Sequence, residues 1–219
     1  MEKIITVTGK GSIHVVPDVI RLQLALDSIH DTYEEAYSQA KGNTDRLTKI
    51  MEKVGLPASQ PKTTSLDIDK KQQAEYDKHG NHSGYKFVGF KLTHRVKIDL
   101  DMDTVILNKI VKLIGKDLKQ AEINIGYTVK DPRPHQLRML ERAVKDAKEK
   151  AIIMTKACGC KLGSVKSIDY SEEEIHIYSQ ARSIHGAAEA ECCNKESLDI
   201  SPDDLVASDS VNVVWYIED

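Results

Sequence analysis

The feature that most restricts this chain is a strict two-residue alternation over residues 85–100. Val88, Phe90, Leu92, Val96, Ile98 and Leu100 fall on one side, and Lys91, Thr93, Arg95, Lys97 and Asp99 on the other. In a strand successive side chains point to opposite faces, so this pattern buries one face and wets the other, the habit of an antiparallel sheet covered on one side. Residues 62–78 read as its partner, joined to it by His79-Gly80-Asn81-His82-Ser83-Gly84. Both runs are longer than the usual five or six residues, which predicts a bent or bulged ribbon with Gly89 as the bulge.

The same period recurs at both ends. Ile5 and Val7 alternate with Thr6 and Thr8 until Gly9 and Gly11 interrupt; Ile20, Leu22, Leu24 and Leu26 alternate after Pro17; Val211, Val213, Trp215 and Ile217 close the chain. So apolar a final strand must pair inside a sheet, with Trp215 beneath a helix. Ile123–Val129 and Val165–Tyr170 read as further strands, and a strand signal recurs at Ile175–Tyr178.

Three segments carry helical spacing instead. One is capped by Asp31 or Thr32 and presents Tyr33, Ala36, Ala40, Leu47, Ile50 and Val54 before Gly55 and Pro57. A short one follows Asp103 with Val105, Ile106, Ile110, Val111 and Ile114. The longest, about residues 134–158, shows Leu137, Leu140, Val144, Ala147, Ala151, Met154 and Cys158, ended by Gly159. Its small residues suit close approach to a sheet. The predicted fold is α+β and two-layered: long, mostly antiparallel strands covered by two long helices and one short one, in the order ββαββ-αβαββ. The expected organisation is a single domain, 1–219, with 1–101 and 102–219 as its two sub-structures. Residues 179–201 show no period and are expected to form a long loop.

At 219 residues, 40% hydrophobic and 30% charged, the chain builds a core without disulfide or metal. No run approaches the ~18 apolar residues of a membrane span. No signal peptide precedes the strand at Ile4, so the expected location is cytoplasmic, or the periplasm or cell envelope if a leader has been removed. A net charge of −3 argues against nucleic acid as partner. The charge is uneven: residues 169–219 carry −11, leaving +8 for residues 1–168. Either an acidic tail segment simply covers the basic body, the reading favoured, or the asymmetry steers partners or subunits together.

Several stretches together resemble the SIMPL (DUF541) family. They are Val7-Thr8-Gly9-Lys10-Gly11 followed by Pro17-Asp18, the Ala- and Asn-containing helix (Ala36, Ala40, Asn43), and Gly84-Tyr85 opening a long strand. Further on come Ile98-Asp99-Leu100-Asp101, the run Ala143 to Ala151 before Gly159 and Leu162-Gly163, and Ile200-Ser201-Pro202 with Val211-Asn212-Val213. The likeness implies an α+β protomer similar to bacterial periplasmic immunogenic and oxidative-stress-defence proteins, some of which form large hollow homo-oligomers, and to an animal kinase-associated adaptor. The chain departs from exported members in lacking a leader and in carrying four cysteines.

No residue pattern demands catalysis. Gly9-Lys10-Gly11-Ser12 lacks the Walker spacing and precedes a strand rather than a helix, so a strand bulge is expected there and not a phosphate loop. Cys158 and Cys160, the adjacent pair Cys192 and Cys193, and the histidines His176 and His185 fit zinc-ligand spacing poorly. Cys158 reads as a core residue of the last helix. His79 and His82 read as solvated turn residues, and His94 as a satisfied histidine on the apolar side of its strand. No catalytic, cofactor-binding or metal residue is therefore assigned, and no cofactor is expected. The leading functional expectation is a non-enzymatic homo-oligomeric scaffold, stress- or envelope-related. The alternative is an adaptor or ligand-binding module that meets a protein partner through residues 179–201, and a thiol- or metal-dependent stress enzyme ranks third.

Overall fold

Pairing of the chain's two ends fixes the architecture. The computed structural model describes residues 2–76, 78–170, 182–184 and 202–219. Its elements are β1 (Ile4–Val15), β2 (Val19–His30), α1 (Tyr33–Lys53), β3 (Lys62–Tyr76), β4 (His82–Asp101) and α2 (Thr104–Asp117). They continue with β5 (Glu122–Thr128), α3 (Arg133–Ala157), β6 (Lys161–Asp169), β7 (Arg182–Ile184) and β8 (Leu205–Glu218). The fold class is α+β, as the patterning implies. One strand is added to the expected order: β7 has three residues, too few to show an alternation, and falls within the stretch expected to be loop. The expected strand at Ile175–Tyr178 lies outside the described residues.

The chain forms two compact units, Met1–Asp18 with Thr128–Ser179 and Pro202–Asp219, and Val19–Tyr127 with Gln180–Ser201. They replace the expected sub-structures 1–101 and 102–219. Because β1 and β8 pair antiparallel from Ile4↔Tyr216 to Val15↔Leu205, the first and last strands belong to one sheet, and no single cut separates the units.

In the first unit the sheet order is β1-β8-β6, with α3 laid on it. β8 is central, and Val211, Val213 and Trp215 are buried with Val7 against Ala143, Ala147 and Ala151. Trp215 is 3% exposed, as a strand paired on both sides beneath a helix requires.

Gly9 and Gly11 do not interrupt β1, nor do they form a bulge; the register runs through them unshifted. Both sit at buried positions of the strand. A Cβ on Gly9 would lie 2.0 Å from the Ala143 carbonyl oxygen, and one on Gly11 2.0 Å from that of Met139. The glycines therefore admit the helix backbone onto the strand. That approach also selects the helix face. The buried column is Met139, Ala143, Ala147, Ala151 and Thr155, four residues apart, while Leu137, Met154 and Cys158 of the expected stripe are exposed.

In the second unit the order is β3-β4-β2-β5-β7. Ile20, Leu22, Leu24 and Leu26 of β2 and Leu92, Val96, Ile98 and Leu100 of β4 are all buried, as their alternation predicts. α1 lies against both strands and beside α2. It starts at a reciprocal cap: Thr32 Oγ1 accepts from the Glu35 amide at 3.2 Å, and the Glu35 carboxylate accepts from the Thr32 amide at 3.4 Å. Asp103 Oδ1 caps α2, accepting from the amides of Val105 and Ile106 at 2.8 and 3.0 Å.

Candidate interaction surface

Strands of unequal length leave a ribbon uncovered. β2 accompanies β4 only as far as His30↔Phe90. From Gly89 back to His82 the pairing of β4 is with β3, and β3 is the edge of its sheet. Along its 15 residues β3 buries none fully. The end of this sheet is thus a two-stranded ribbon in water, a structure only marginally stable by itself.

The ribbon is aimed by the bulge expected at Gly89. Lys71 pairs with Gly89 and Gln72 with Phe87, which leaves Val88 as the extra residue. Gly89 has φ +141°, and a Cβ there would stand 2.5 Å from the His30 carbonyl oxygen. Glycine is required on both counts.

Aromatic side chains run along the ribbon. At its tip the His82 ring meets Tyr76 at 6.0 Å and Tyr85 at 4.8 Å, both edge-on. Nearer the sheet Phe90 meets Phe87 at 5.4 Å and Tyr33 of α1 at 6.1 Å. Such edge-to-face contacts contribute about 0.5–1.5 kcal/mol each and stiffen a hairpin that no other strand supports. The outward surfaces stay wet: Tyr76 is 66% and Tyr85 68% exposed, and Phe87 and Tyr33 are about half-exposed. Both phenylalanines of the chain and three of its eight tyrosines are in this set. Tyrosine and phenylalanine are among the residues enriched at protein interfaces, and tyrosine is enriched at their hot spots.

The flanking chemistry favours face-to-face docking over strand addition. β3 carries Lys62, Lys70 and Lys71 and three register irregularities, the devices that blunt an open edge. Further along β4, Arg95 donates to the Asp27 carboxylate, and that guanidinium holds the Asp27 carboxyl below its ordinary range. Arg21 grips Asp99 with two bonds of 2.7 and 2.8 Å, and this pairing raises the arginine still further above its ordinary value. These cross-strand pairs stabilise the base from which the ribbon extends.

The residues singled out in the sequence do not converge on a chemical centre. The Lys10 amide donates to Asp146 Oδ2 at 2.7 Å, and Arg142 donates to the Ser12 carbonyl at 2.6 Å. α3 thereby engages the Lys10 amide and the Ser12 carbonyl on the free edge of β1. Cys158 is the exposed C-cap of α3 instead of a core residue, because the column facing the sheet ends at Thr155. Cys160 is partly exposed and turns its Sγ to the Cys158 carbonyl at 3.7 Å. Cys192, Cys193, His176 and His185 lie outside the described residues. Among the described residues no three His, Cys, Asp or Glu side chains gather as metal ligands would. His79 stands in the β3–β4 turn, and His82 is exposed, as expected, while its ring touches Tyr76 and Tyr85. His94 is buried, shares a 3.1 Å hydrogen bond with Thr63 Oγ1, and leaves Nδ1 without a partner; burial lowers its pKa.

The aromatic surface was hidden in the sequence because residues 85–100 read as one evenly buried face. The available signal was length: β4 has 20 residues against 12 for β2, so its far end outruns any cover.

No helix is long and apolar enough to cross a membrane among the described residues. No curated protein matches the sequence. A family model described as "SIMPL: Protein of unknown function (DUF541)" matches residues 5–215, from the first strand to Trp215 in the last, and the chain therefore belongs to the SIMPL family.

Proposed function

We propose that the protein is a non-enzymatic scaffold that assembles with copies of itself through the aromatic ribbon of β3 and β4. The observation that carries this reading is the ribbon itself: a two-stranded extension past the end of β2, bearing half-exposed or more exposed Tyr76, Tyr85 and Phe87. An isolated hairpin gains stability by burying such a face, and a second copy supplies a matching surface wherever symmetry closes. The −11 charge of residues 169–219 against +8 for the rest of the chain favours encounter between copies.

The test is the triple variant Tyr76→Ser, Tyr85→Ser, Phe87→Ser, compared with the parent by sedimentation velocity. All three side chains are 46% or more exposed, and far-UV circular dichroism matching the parent's checks that the protomer fold survives their removal. The reading expects an assembled parent and a variant shifted to the protomer. Identical sedimentation of the two would exclude the ribbon as the assembly surface.

A further inference from the structure

The first unit carries a second feature that assembly through the ribbon does not use, an apolar groove on one flank of α3. The helix is drawn onto β1 by Gly9 and Gly11, and β6, the far edge of the three-stranded sheet, has no roof among the described residues. Val165 and Ile168 of β6 are consequently 49% and 56% exposed. Between this strand and the helix lies a concavity of about 420 Å³ floored by Val213 and Trp215 of β8. Its volume is in the range of small-molecule sites, roughly 300–1,000 Å³.

The helix wall is Val144, Lys148 and Ile152, successive residues of one i, i+4 column. Lys148 is the one charged residue of the lining; Ser164 supplies a hydroxyl, and the other lining residues are apolar or glycine. Its neighbours on α3 are neutralised along the helix, Lys145 by Glu141 and Lys150 by Asp146, each at 2.6 Å. Lys148 has Val144 and Ile152 at the same spacings and makes no ion pair among the described residues. A lysine without a carboxylate, set midway along an apolar wall, complements a negative head on an apolar body.

We propose that this groove binds an amphipathic anion, a single-chain aliphatic carboxylate. Its chain lies along the exposed side chains of Ile152, Val165 and Ile168, above the nearly buried Trp215 and Val213, and its head meets Lys148 Nζ.

Trp215 is the only tryptophan and reports on the site directly. The experiment titrates the full chain with decanoate below its micellar concentration, following tryptophan emission, with decanol as the uncharged control. The proposal expects a saturable change for both ligands, roughly three- to fivefold tighter for decanoate, the gain of one partly exposed ion pair. Lys148→Met removes the preference for the acid and leaves the melting temperature unchanged. Ile168→Asp, at an exposed position, weakens both ligands. The absence of a saturable change, or a Lys148→Met variant that keeps the preference, overturns the proposal. So does an emission change that follows protein concentration instead of ligand, which would assign the groove to a second copy. None of these readings depends on whether the ribbon assembles.

Discussion

Adding one methyl group to this chain has opposite consequences at two glycines. In Gly9→Ala the new Cβ stands 2.0 Å from the Ala143 carbonyl oxygen, 2.6 Å from the Ala147 nitrogen and 2.7 Å from the Ala147 Cβ. The first two are backbone atoms and cannot rotate aside. Restoring an ordinary 3.4 Å contact needs a shift of about 1.4 Å, enough to lift α3 off Val213 and Trp215. Overpacking costs about 1–3 kcal/mol where side chains can yield, so this substitution is expected at about 3 kcal/mol or above. At roughly 2–4 °C per kcal/mol for a chain of this size, the melting temperature falls by about 6–12 °C. In Gly42→Ala the new Cβ meets nothing within 4 Å and occupies the interior of α1, so alanine stabilises by up to about 1 kcal/mol. Chemical denaturation followed by Trp215 emission reads the first unit, and far-UV circular dichroism reads loss of helix. A Gly9→Ala protein as stable as the parent would refute the close seating of α3 on β1.

Truncation after Ser210 removes Val211, Val213 and Trp215 from the strand that both β1 and β6 pair with, and is expected to unfold the first unit; a truncated chain whose amides in β1 keep their hydrogen-exchange protection would contradict this. His94 is neutral in the fold because burial lowers its pKa, while the unfolded chain takes up its proton near pH 6.5. Its contribution is therefore present above about pH 6.5 and lost as pH falls below it, with a slope of at most about 1.4 kcal/mol per pH unit. Urea midpoints from pH 8 to 5 are expected to fall less steeply for His94→Leu than for the parent, and parallel curves would show that His94 is not buried neutral.

Elements with an unbroken period were legible in the sequence because their burial is uniform. The alternation of Ile20 to Leu26 and of Leu92 to Leu100 became two buried faces, and of the two candidate caps, Asp31 and Thr32, Thr32 became the N-cap of α1. Positions set by a neighbour's shape were not legible. Gly9 and Gly11 look like breaks until a helix backbone lies on them, and that helix then turns Met139 and Ala143 inward in place of Leu137 and Cys158. The aromatic ribbon escaped for the same reason. Val88 continues the apolar pattern of β4 yet is 38% exposed, since cover is decided by where β2 and α1 end. The groove left only a local trace, a lysine four residues from apolar side chains on both sides where its helix neighbours have carboxylates.

The molar mass of the intact chain tests the central claim most directly. A protomer of 24.5 kDa is expected to elute and scatter light as a multiple of that mass across the micromolar range. A mass that stays at 24.5 kDa at every concentration up to about 100 μM would contradict assembly as the work of this protein, since it would leave any self-association weaker than about −5.5 kcal/mol.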